Sequence, residues 1–270
     1  MSIRHFRVEL EYDGTAFSGW QVQPGARTIQ GDVERALRLL THEDIRAHSA
    51  GRTDAGVHAL GQVISFSSTS RINAQQVALG LNRYLPSDVR ARRSGKVPAE
   101  FHARYSARAK TYGYTALIGR GARPLLSRYA ATYWPEVDVD KMREAAALMV
   151  GKHEFAAFAA SGRQPGPTVR TVHEVAIEVV SGEALPGPVG WSPPWAEETP
   201  AIRFTVIGGG FLYKMVRNMV GTLMEVGQGK MDAGSVAQAL ETGDRRFCGT
   251  TAPAQGLVMV GVDYGDAYPW

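Results

Sequence analysis

Residues 6–12 read FRVELEY, and this stretch decides how the N-terminal part of the chain folds. Apolar side chains at positions 6, 8, 10 and 12 alternate with charged ones, which is the period-two pattern of a strand with one face in water. Residues 13–15, DGT, indicate the turn that ends this strand. The sequence therefore predicts a half-buried strand followed at once by a tight turn.

Helix and strand patterns alternate along the rest of the chain. After the first strand, Thr28 is expected to cap a helix with one apolar stripe, formed by Ile29, Val33, Ala36, Leu37 and Leu40. Further strands are predicted at 45–49, 62–67, 109–118, 175–179, 202–206 and 257–262, and further helices at 73–84, 138–149 and 212–226. Strand–helix–strand units in both halves indicate two related α+β subdomains.

The predicted boundary between the subdomains lies at 105/106. We expect an N-terminal α+β subdomain at 1–105, which contains the loop 51–59, and a C-terminal α+β subdomain at 106–270. Residues 181–200 contain five of the 14 prolines and several glycines, so they are expected to form a loop or an insertion in the second subdomain.

Composition excludes several classes of protein. Of the 270 residues, 44% are hydrophobic and 21% are charged, which rules out disordered, collagen-like and coiled-coil chains. The single cysteine, Cys248, excludes an intramolecular disulfide and a cysteine-based zinc site. No apolar run approaches the about 18 residues of a membrane span, and no secretory signal is visible. We therefore expect a soluble cytoplasmic protein.

Charge is concentrated in the middle of the chain. The net charge is only +4, but residues 83–128 contain eleven Lys and Arg against two Asp and Glu, a net charge of +9. Residues 131–200 carry a net charge of −5. Tyrosine and phenylalanine are interleaved with the cations of the basic segment. Cations neutralise phosphates and aromatic faces stack on unpaired bases, so this mixture suits RNA, although a merely solvated face would have the same charge.

Familiar cofactor motifs are absent from the sequence. It contains no phosphate-binding GxxxxGK[ST] loop, no GxGxxG after a strand and no HExxH helix. The seven histidines are scattered, so no metal site is predicted.

One dense polar loop stands out, residues 51–59, GRTDAGVHA. If the chain is extended there, Arg52 and Asp54 leave the same face, and an ion pair between them would keep the carboxylate ionised and oriented. Such a carboxylate can act as a nucleophile or a base. The alternative, which the residues alone favour, is an ordinary turn in which Asp54 caps backbone N–H groups.

Five segments in the same order resemble the tRNA pseudouridine synthase A family. The loop 51–59 resembles the family's catalytic loop, and residues 12–21, YDGTAFSGWQ, resemble its first strand and turn. Residues 211–221, FLYKMVRNMVG, resemble its C-terminal half-site helix, and residues 252–257, APAQGL, resemble the loop that closes the pocket. Residues 151–155, GKHEF, are a weaker match. The resemblance extends over nearly the whole chain.

The resemblance implies a fold, an activity and a substrate. The fold is α+β, with two related ferredoxin-like (RRM-like) subdomains whose mixed or antiparallel sheets flank a basic central cleft. The activity is that of a tRNA pseudouridine synthase, an isomerase that converts uridines at positions 38, 39 and/or 40 of the anticodon stem-loop to pseudouridine. The substrate partner is tRNA, a homodimer is expected, and no cofactor, metal, membrane or DNA is involved.

Roles for individual residues also come from the resemblance. Asp54 matches the nucleophilic aspartate and Arg52 the arginine associated with base flipping, while Arg217 matches a helix arginine that reaches the catalytic carboxylate. Tyr112 matches the tyrosine that stacks on the target base, and Leu257 would line the pocket. His58 and Lys214 are assigned to substrate binding, although the family often has His at the position of Lys214.

Two alternative functions, one non-catalytic and one hydrolytic, are also compatible with the sequence. A non-catalytic RNA-binding module would tolerate Asn in place of Asp54 with no loss beyond binding. An aspartate-nucleophile hydrolase would need a second carboxylate or metal ligands near the nucleophile, and the loop 51–59 contains no other acidic residue.

Overall fold

The protein is described by a computed structural model that covers residues 2–120, 124–135, 137–162, 166–180 and 200–270. The predicted insertion at 181–200 lies outside the described residues, except for Pro200. The helices and strands in chain order are β1 (Arg4–Tyr12), α1 (Ile29–Thr41), β2 (His48–Ser49), β3 (His58–Ser68), α2 (Val77–Leu81), β4 (Val89–Val97), β5 (Ala109–Ile118), β6 (Ala131–Tyr133), α3 (Val139–Ala147), β7 (Gly151–Glu154), β8 (Val169–Val180), β9 (Ala201–Gly208), α4 (Met215–Gly227), α5 (Ala233–Thr242) and β10 (Leu257–Asp263). The α+β class predicted from the sequence is confirmed.

The chain divides into two compact units. The first comprises residues 1–110 and 258–270, and the second comprises residues 111–257. Residues 258–270, at the end of the chain, belong to the first unit, since β10 pairs in parallel with β3.

A mixed sheet forms the centre of the first unit, with strands in the order β4-β1-β3-β10 and β2 also paired with β3. Strand β1 is antiparallel to both β3 and β4, and β2 is antiparallel to β3. The apolar face predicted for β1 is confirmed, since Phe6, Val8, Leu10 and Tyr12 are all buried, but Arg7, predicted to face water, is buried as well. The strand thus presents one apolar face to the core.

Helix α1 has the predicted start and the predicted apolar face. The Thr28 hydroxyl accepts a hydrogen bond from Gly31 N at 3.3 Å, which satisfies one of the free N–H groups of the first turn. Ile29, Val33, Ala36 and Leu37 are buried, while Leu40 is half-buried. The helix ends at His42, whose φ of 61° is left-handed.

Other elements of the first unit are shorter or longer than predicted. The strand expected at 45–49 is reduced to β2, and β3 starts at His58, four residues before its predicted start. The helix expected at 73–84 is a short 3-10 helix, Ala74–Gln76, followed by α2. Asn73 caps the 3-10 helix, since its Oδ1 accepts from Gln75 N at 3.0 Å.

The second unit contains a sheet with strands in the order β5-β9-β8-β7, and β6 pairs with β5. Burial alternates along β5 and β9 as predicted, and Asp138 caps α3 by accepting from two backbone N–H groups. Strand β8 differs, because Ile177 is buried but Val179 is 60% exposed. The short β7 pairs only with residues 169–172, so the other end of β8 extends beyond it.

Helix α4 starts three residues later than its apolar pattern predicts. Lys214 precedes it with a left-handed φ of 58°, which is incompatible with a continuing right-handed helix from Leu212. The predicted stripe is otherwise confirmed, since Val216, Met219, Leu223 and Val226 are buried. Among the residues described here, no helix is long and apolar enough to cross a membrane.

Replacing Thr28 with Ala is expected to lower the free energy of unfolding by about 1 kcal/mol, because the cap of α1 is lost. Urea denaturation measures this change. Thr171→Ala, at an exposed position of β8, is the matched control and should change the free energy by only a few tenths of that amount. Equal effects of the two variants would contradict the capping role of Thr28.

Candidate active site

Buried hydrogen bonds hold the loop between β2 and β3, residues 50–57. The Tyr12 hydroxyl lies 2.8 Å from Thr53 Oγ1, and the Gln62 side chain donates from Nε2 to the carbonyl of Gly51 at 2.7 Å. Gln62 Nε2 also lies 3.4 Å from the Tyr12 hydroxyl, and all three side chains are buried. The loop is therefore attached at two points to the strands β1 and β3 beneath it.

The segment 13–20 holds the backbone of the same loop. Trp20 N donates to the carbonyl of Thr53 at 2.9 Å. Gly19 has a φ of +94°, and a Cβ there would lie 2.8 Å from the Thr53 oxygen, while a Cβ on Gly14 would overlap the carbonyl of Val57. Only glycine allows this close approach and the positive φ. The two sequence motifs 12–21 and 51–59 are thus parts of one packed structure.

The outward side chains of the loop are Arg52 and Asp54. Thr53 between them points into the buried network, Arg52 is exposed and Asp54 is half-buried. The ion pair between Arg52 and Asp54 considered from the sequence is not formed, since within the described part of the chain Arg52 pairs with no carboxylate. The loop closes with a turn in which Val57 N donates to the carbonyl of Asp54 at 3.1 Å.

His58 lies at the start of β3 rather than in the loop, and its ring is buried. Its Nδ1 is 3.0 Å from Gly14 N and 3.2 Å from Asp13 Oδ1. The geometry at Gly14 meets the directional requirements of a hydrogen bond from Gly14 N to Nδ1. His58 thereby attaches β3 to the turn 13–15.

In the second unit, Tyr112 lies on β5 and is buried. Its ring packs edge to face against Phe211, with 5.2 Å between centroids and 86° between planes. Phe211 begins the segment that leads into α4. Tyr112 therefore lies on a strand beside the start of α4, and its packing against Phe211 fixes the orientation of its ring.

Arg217 lies in the first turn of α4 and holds the segment before β10. Its Nε donates to the carbonyl of Ala252 at 2.8 Å, and Ala252 N donates back to the carbonyl of Arg217 at 3.1 Å. Lys214 caps no backbone group with its side chain, and its Nζ lies 5.1 Å from the Tyr213 ring centroid. Leu257 is buried at the first position of β10.

A set of polar side chains on α4 holds the loop 249–252, and sequence reasoning missed it. Asn218 is fully buried, donates to the carbonyl of Phe158 at 2.7 Å and accepts from Thr251 Oγ1 at 2.6 Å. Thr222 accepts from Gly249 N at 3.0 Å, and Glu225 accepts from Thr250 N at 2.7 Å. The signal was present, because polar residues inside the apolar run 215–226 need buried partners.

Two phenols near Arg217 are neutral. The hydroxyls of Tyr114 and Tyr133 lie 3.2 Å apart. Burial raises the pKa of both groups above the ordinary value, and the positive charge of Arg217 opposes this increase. Both therefore serve as O–H donors or acceptors at neutral pH rather than as anions.

Part of the basic segment 83–128 lies on β4. Arg92 pairs with Glu11 at 3.4 Å and Arg93 pairs with Glu9 at 2.8 Å, so carboxylates of β1 partly neutralise these two cations. Arg90 is exposed, and it has no carboxylate partner among residues whose positions the structure gives. Within that same part of the chain, no group of three or more His, Cys, Asp and Glu could hold a metal ion.

Comparisons with known proteins agree on one family. The family described as "tRNA pseudouridine synthase" matches residues 10–106 and 145–265. The chain is 39% identical over 262 residues to "tRNA pseudouridine synthase A" of Acetivibrio thermocellus, which covers 97% of this chain and 100% of that protein. It is 41% identical over 262 residues to the protein of the same name from Brevibacillus brevis, with the same coverage of 97% and 100%.

A more distant comparison comes from solved structures. A chain from "Crystal Structure of a Cbf5-Nop10-Gar1 Complex" matches with a TM-score of 0.31 and 12% identity, over 82% of this chain and 54% of that chain. A likeness this low has no bearing on the fold or the function.

Tyr12→Phe is expected to lower the free energy of unfolding by about 1 kcal/mol, because Thr53 and Gln62 lose a buried partner. Burial raises the pKa of Tyr12 to about 12. The neutral phenol thus stabilises the fold fully below the unfolded pKa of about 10, and this contribution is lost as the pH rises towards 12.

Urea denaturation between pH 8 and 12 tests both effects. The stability of Tyr12→Phe should decline less steeply with pH than that of the wild type. Tyr84→Phe, at an exposed tyrosine, is the matched control and should follow the wild type. The buried network would be contradicted if the two variants behaved alike.

Proposed function

The chain belongs to the tRNA pseudouridine synthase family, whose members are isomerases, and from this premise we propose that it converts uridines of the tRNA anticodon stem-loop to pseudouridine. Positions 38, 39 and 40 are the proposed targets. Support comes from the family match over 10–106 and 145–265 and from the names of relatives that span almost the same length.

The proposed reaction breaks the bond from ribose C1′ to uracil N1 and forms one from C1′ to C5. The hydrogen on C5 leaves as a proton, and no atom is added to the nucleotide. Asp54 is the proposed catalytic group, either as a nucleophile at C1′ or as the base that removes a 2′ proton. Both routes need a carboxylate held in a fixed place while the uracil turns.

The observation that carries this proposal is the way the loop 50–57 is held. Thr53 is fixed by Tyr12 and by the backbone of Trp20, and Asp54 follows it directly in the chain. Asp54 is half-buried, so a substrate can reach it while part of its hydration is already removed. An ordinary polar surface turn would be stable without these buried hydrogen bonds.

Arg52 is proposed to support the extruded base and the opened stem. It is exposed beside Asp54, and it uses no carboxylate partner among the described residues, so its guanidinium is available to a phosphate or a base face. Extruding a nucleotide from a stem costs a few kcal/mol, which a cation at the vacated position can offset.

The second unit is proposed to supply the base-binding side chains. Tyr112 would stack on the target base, Leu257 would line the pocket, and Arg217 would orient the catalytic carboxylate. Lys214 would contact the backbone of the RNA. The bonds of Arg217 to Ala252 support these roles, and His58, which is buried at the start of β3 and bonded to Gly14, is also proposed to take part in substrate binding.

We also propose that each of the two units has a ferredoxin-like fold. Its support in the first unit is the chain order β1-α1-β2-β3-α2-β4 together with β4-β1-β3 pairing and β2 on β3. The division at 105/106, a homodimer and a cytoplasmic location are proposed with it, because the family resemblance and a tRNA substrate imply them.

Asp54→Asn is expected to abolish tritium release from tRNA labelled with [5-³H]uridine, because the substituted amide is a far weaker nucleophile and base. Asp44→Asn removes an equally acidic but almost fully exposed carboxylate, 92% exposed, and is the matched control, which should retain wild-type release.

The outcomes of this assay distinguish the isomerase reaction, the role of Asp54 and the alternative of a non-catalytic RNA-binding module. Release by the wild type and the control but not by Asp54→Asn supports the isomerase and its catalytic carboxylate. Release by all three would remove Asp54 from the reaction. No release by the wild type on unmodified tRNA would favour a non-catalytic RNA-binding module.

Arg90→Glu is expected to weaken tRNA binding and to reduce the dependence of log Kd on log salt concentration by about 1, because one phosphate contact is lost. Filter binding over a range of salt concentrations measures both quantities. Arg71→Glu makes the same change at an exposed residue outside the basic segment 83–128 and serves as the control. Equal losses in both variants would contradict a specific role for Arg90.

A further inference from the structure

Three neighbouring aromatic rings, tilted against one another, form a surface feature of the first unit outside the loop 50–57. The ring centroids of His48 and His102 are 5.1 Å apart, and those of His102 and Tyr105 are 4.5 Å apart. The angles between neighbouring planes are 45° and 36°. Tyr105, at the end of the array, is 76% exposed. The Tyr105 ring is therefore open to solvent.

Strand β3 brings the two parts of this array together. His48 on β2 is the ladder partner of Ser65 on β3. The Ser65 hydroxyl accepts a buried hydrogen bond from Ala103 N at 3.0 Å, which places the segment 102–105 beside β2. The proximity of His48 to His102 thus follows from the sheet register.

Hydrogen bonds fix the backbone of the turn 102–106 and the His102 ring, so these groups are in place before any ligand binds. Ser106 N donates to the carbonyl of His102 at 2.9 Å, and His102 N donates to the Ser106 hydroxyl at 3.0 Å. Arg104 N donates to His102 Nδ1 at 3.0 Å, which fixes the imidazole plane, and the Tyr264 hydroxyl donates to the carbonyl of Ala103 at 2.7 Å. A stacking surface of this kind loses little conformational entropy on binding.

Positive charge flanks the rings. The guanidinium carbon of Arg104 lies 5.6 Å from the Tyr105 ring centroid, and Arg46, two residues before His48, is exposed. Neither arginine has a carboxylate partner among the residues that the structure describes. Burial and the nearby charges of His48 and Arg104 lower the pKa of His102, so its ring is uncharged at neutral pH.

We propose that Tyr105, backed by the neighbouring rings of His102 and His48, is a platform for an unpaired base of the tRNA, with Arg104 and Arg46 holding the adjacent phosphates. Every base has a face that stacks on an aromatic ring, and guanidinium groups neutralise phosphates. The identity of the RNA rests on the proposed function, whereas the platform itself rests on the rings and their flanking charges.

The platform lies close to the loop that contains Asp54. His48 and Arg52 are four residues apart, so their Cα atoms are separated by at most about 14 Å. The His48 end of the platform is therefore near this loop, so one bound tRNA can contact both. RNA is favoured over a protein partner because Tyr105 and Arg104 belong to the segment 83–128, whose net charge is +9.

Tyr105→Ala and Tyr105→Phe test the platform in the full-length protein. The Ala variant should raise the Kd and the KM for an anticodon stem-loop RNA about tenfold, equivalent to about 1.4 kcal/mol, and leave kcat unchanged. The Phe variant keeps the stacking face and should stay within about twofold of the wild type. Tyr84→Ala, at an exposed tyrosine of the basic segment, is the matched control.

The salt dependence of binding separates stacking from charge. Tyr105→Ala should retain the wild-type slope of log Kd against log salt, whereas Arg104→Ala should reduce it by about 1. A Kd and KM for Tyr105→Ala equal to those of the wild type would overturn the platform, and so would equal losses in Tyr84→Ala and Tyr105→Ala.

The outcomes are independent of the proposed isomerase reaction. If the wild type releases tritium and Tyr105→Ala binds normally, the reaction stands and the platform is wrong. If the wild type releases no tritium but Tyr105→Ala loses RNA affinity while Tyr105→Phe keeps it, the platform stands without the reaction.

Discussion

A buried phenol hydroxyl governs the position of the loop 50–57. Tyr12 on β1 reaches Thr53, and Gln62 on β3 reaches both Tyr12 and the carbonyl of Gly51. In a low-dielectric interior an unmade hydrogen bond costs about 1–3 kcal/mol, so the loop has few alternative positions. Because Thr53 is fixed inward, its neighbours Arg52 and Asp54 are directed away from the core. Every role proposed for these two residues depends on that constraint.

In the second unit, buried polar side chains of helix α4 likewise fix the position of a loop. Asn218, Thr222 and Glu225 bind the loop 249–252, and Gly221 allows the backbone of Thr250 to approach the helix closely. Arg217 adds two bonds to Ala252 at the same face. In both units the side chains proposed for chemistry are few, while a larger number of buried polar groups fixes the backbone that presents them.

Sequence patterns predicted those elements that have one apolar face, such as 6–12, 109–118 and 202–206. They did not predict β4, because its arginines interrupt the alternation and its pairing with β1 is irregular near Glu9 and Leu10. The loop 51–59 was identified from local residues, but Gln62 and Asn218 were not. Their partners lie far away in the chain, so a polar residue within an apolar run, such as Asn218, indicates that a buried partner is needed but not which residue supplies it.

The central claim is that the Tyr12–Thr53–Gln62 network positions Asp54 for reaction. It is tested most directly by the single-turnover rate of C5 tritium release from saturating tRNA, measured for the wild type and for Gln62→Leu at a temperature where both are folded. Misplacement by about 1 Å can cost roughly a hundredfold in rate, so the account predicts that Gln62→Leu reacts at least about tenfold more slowly although Asp54 is intact. An unchanged rate would contradict it.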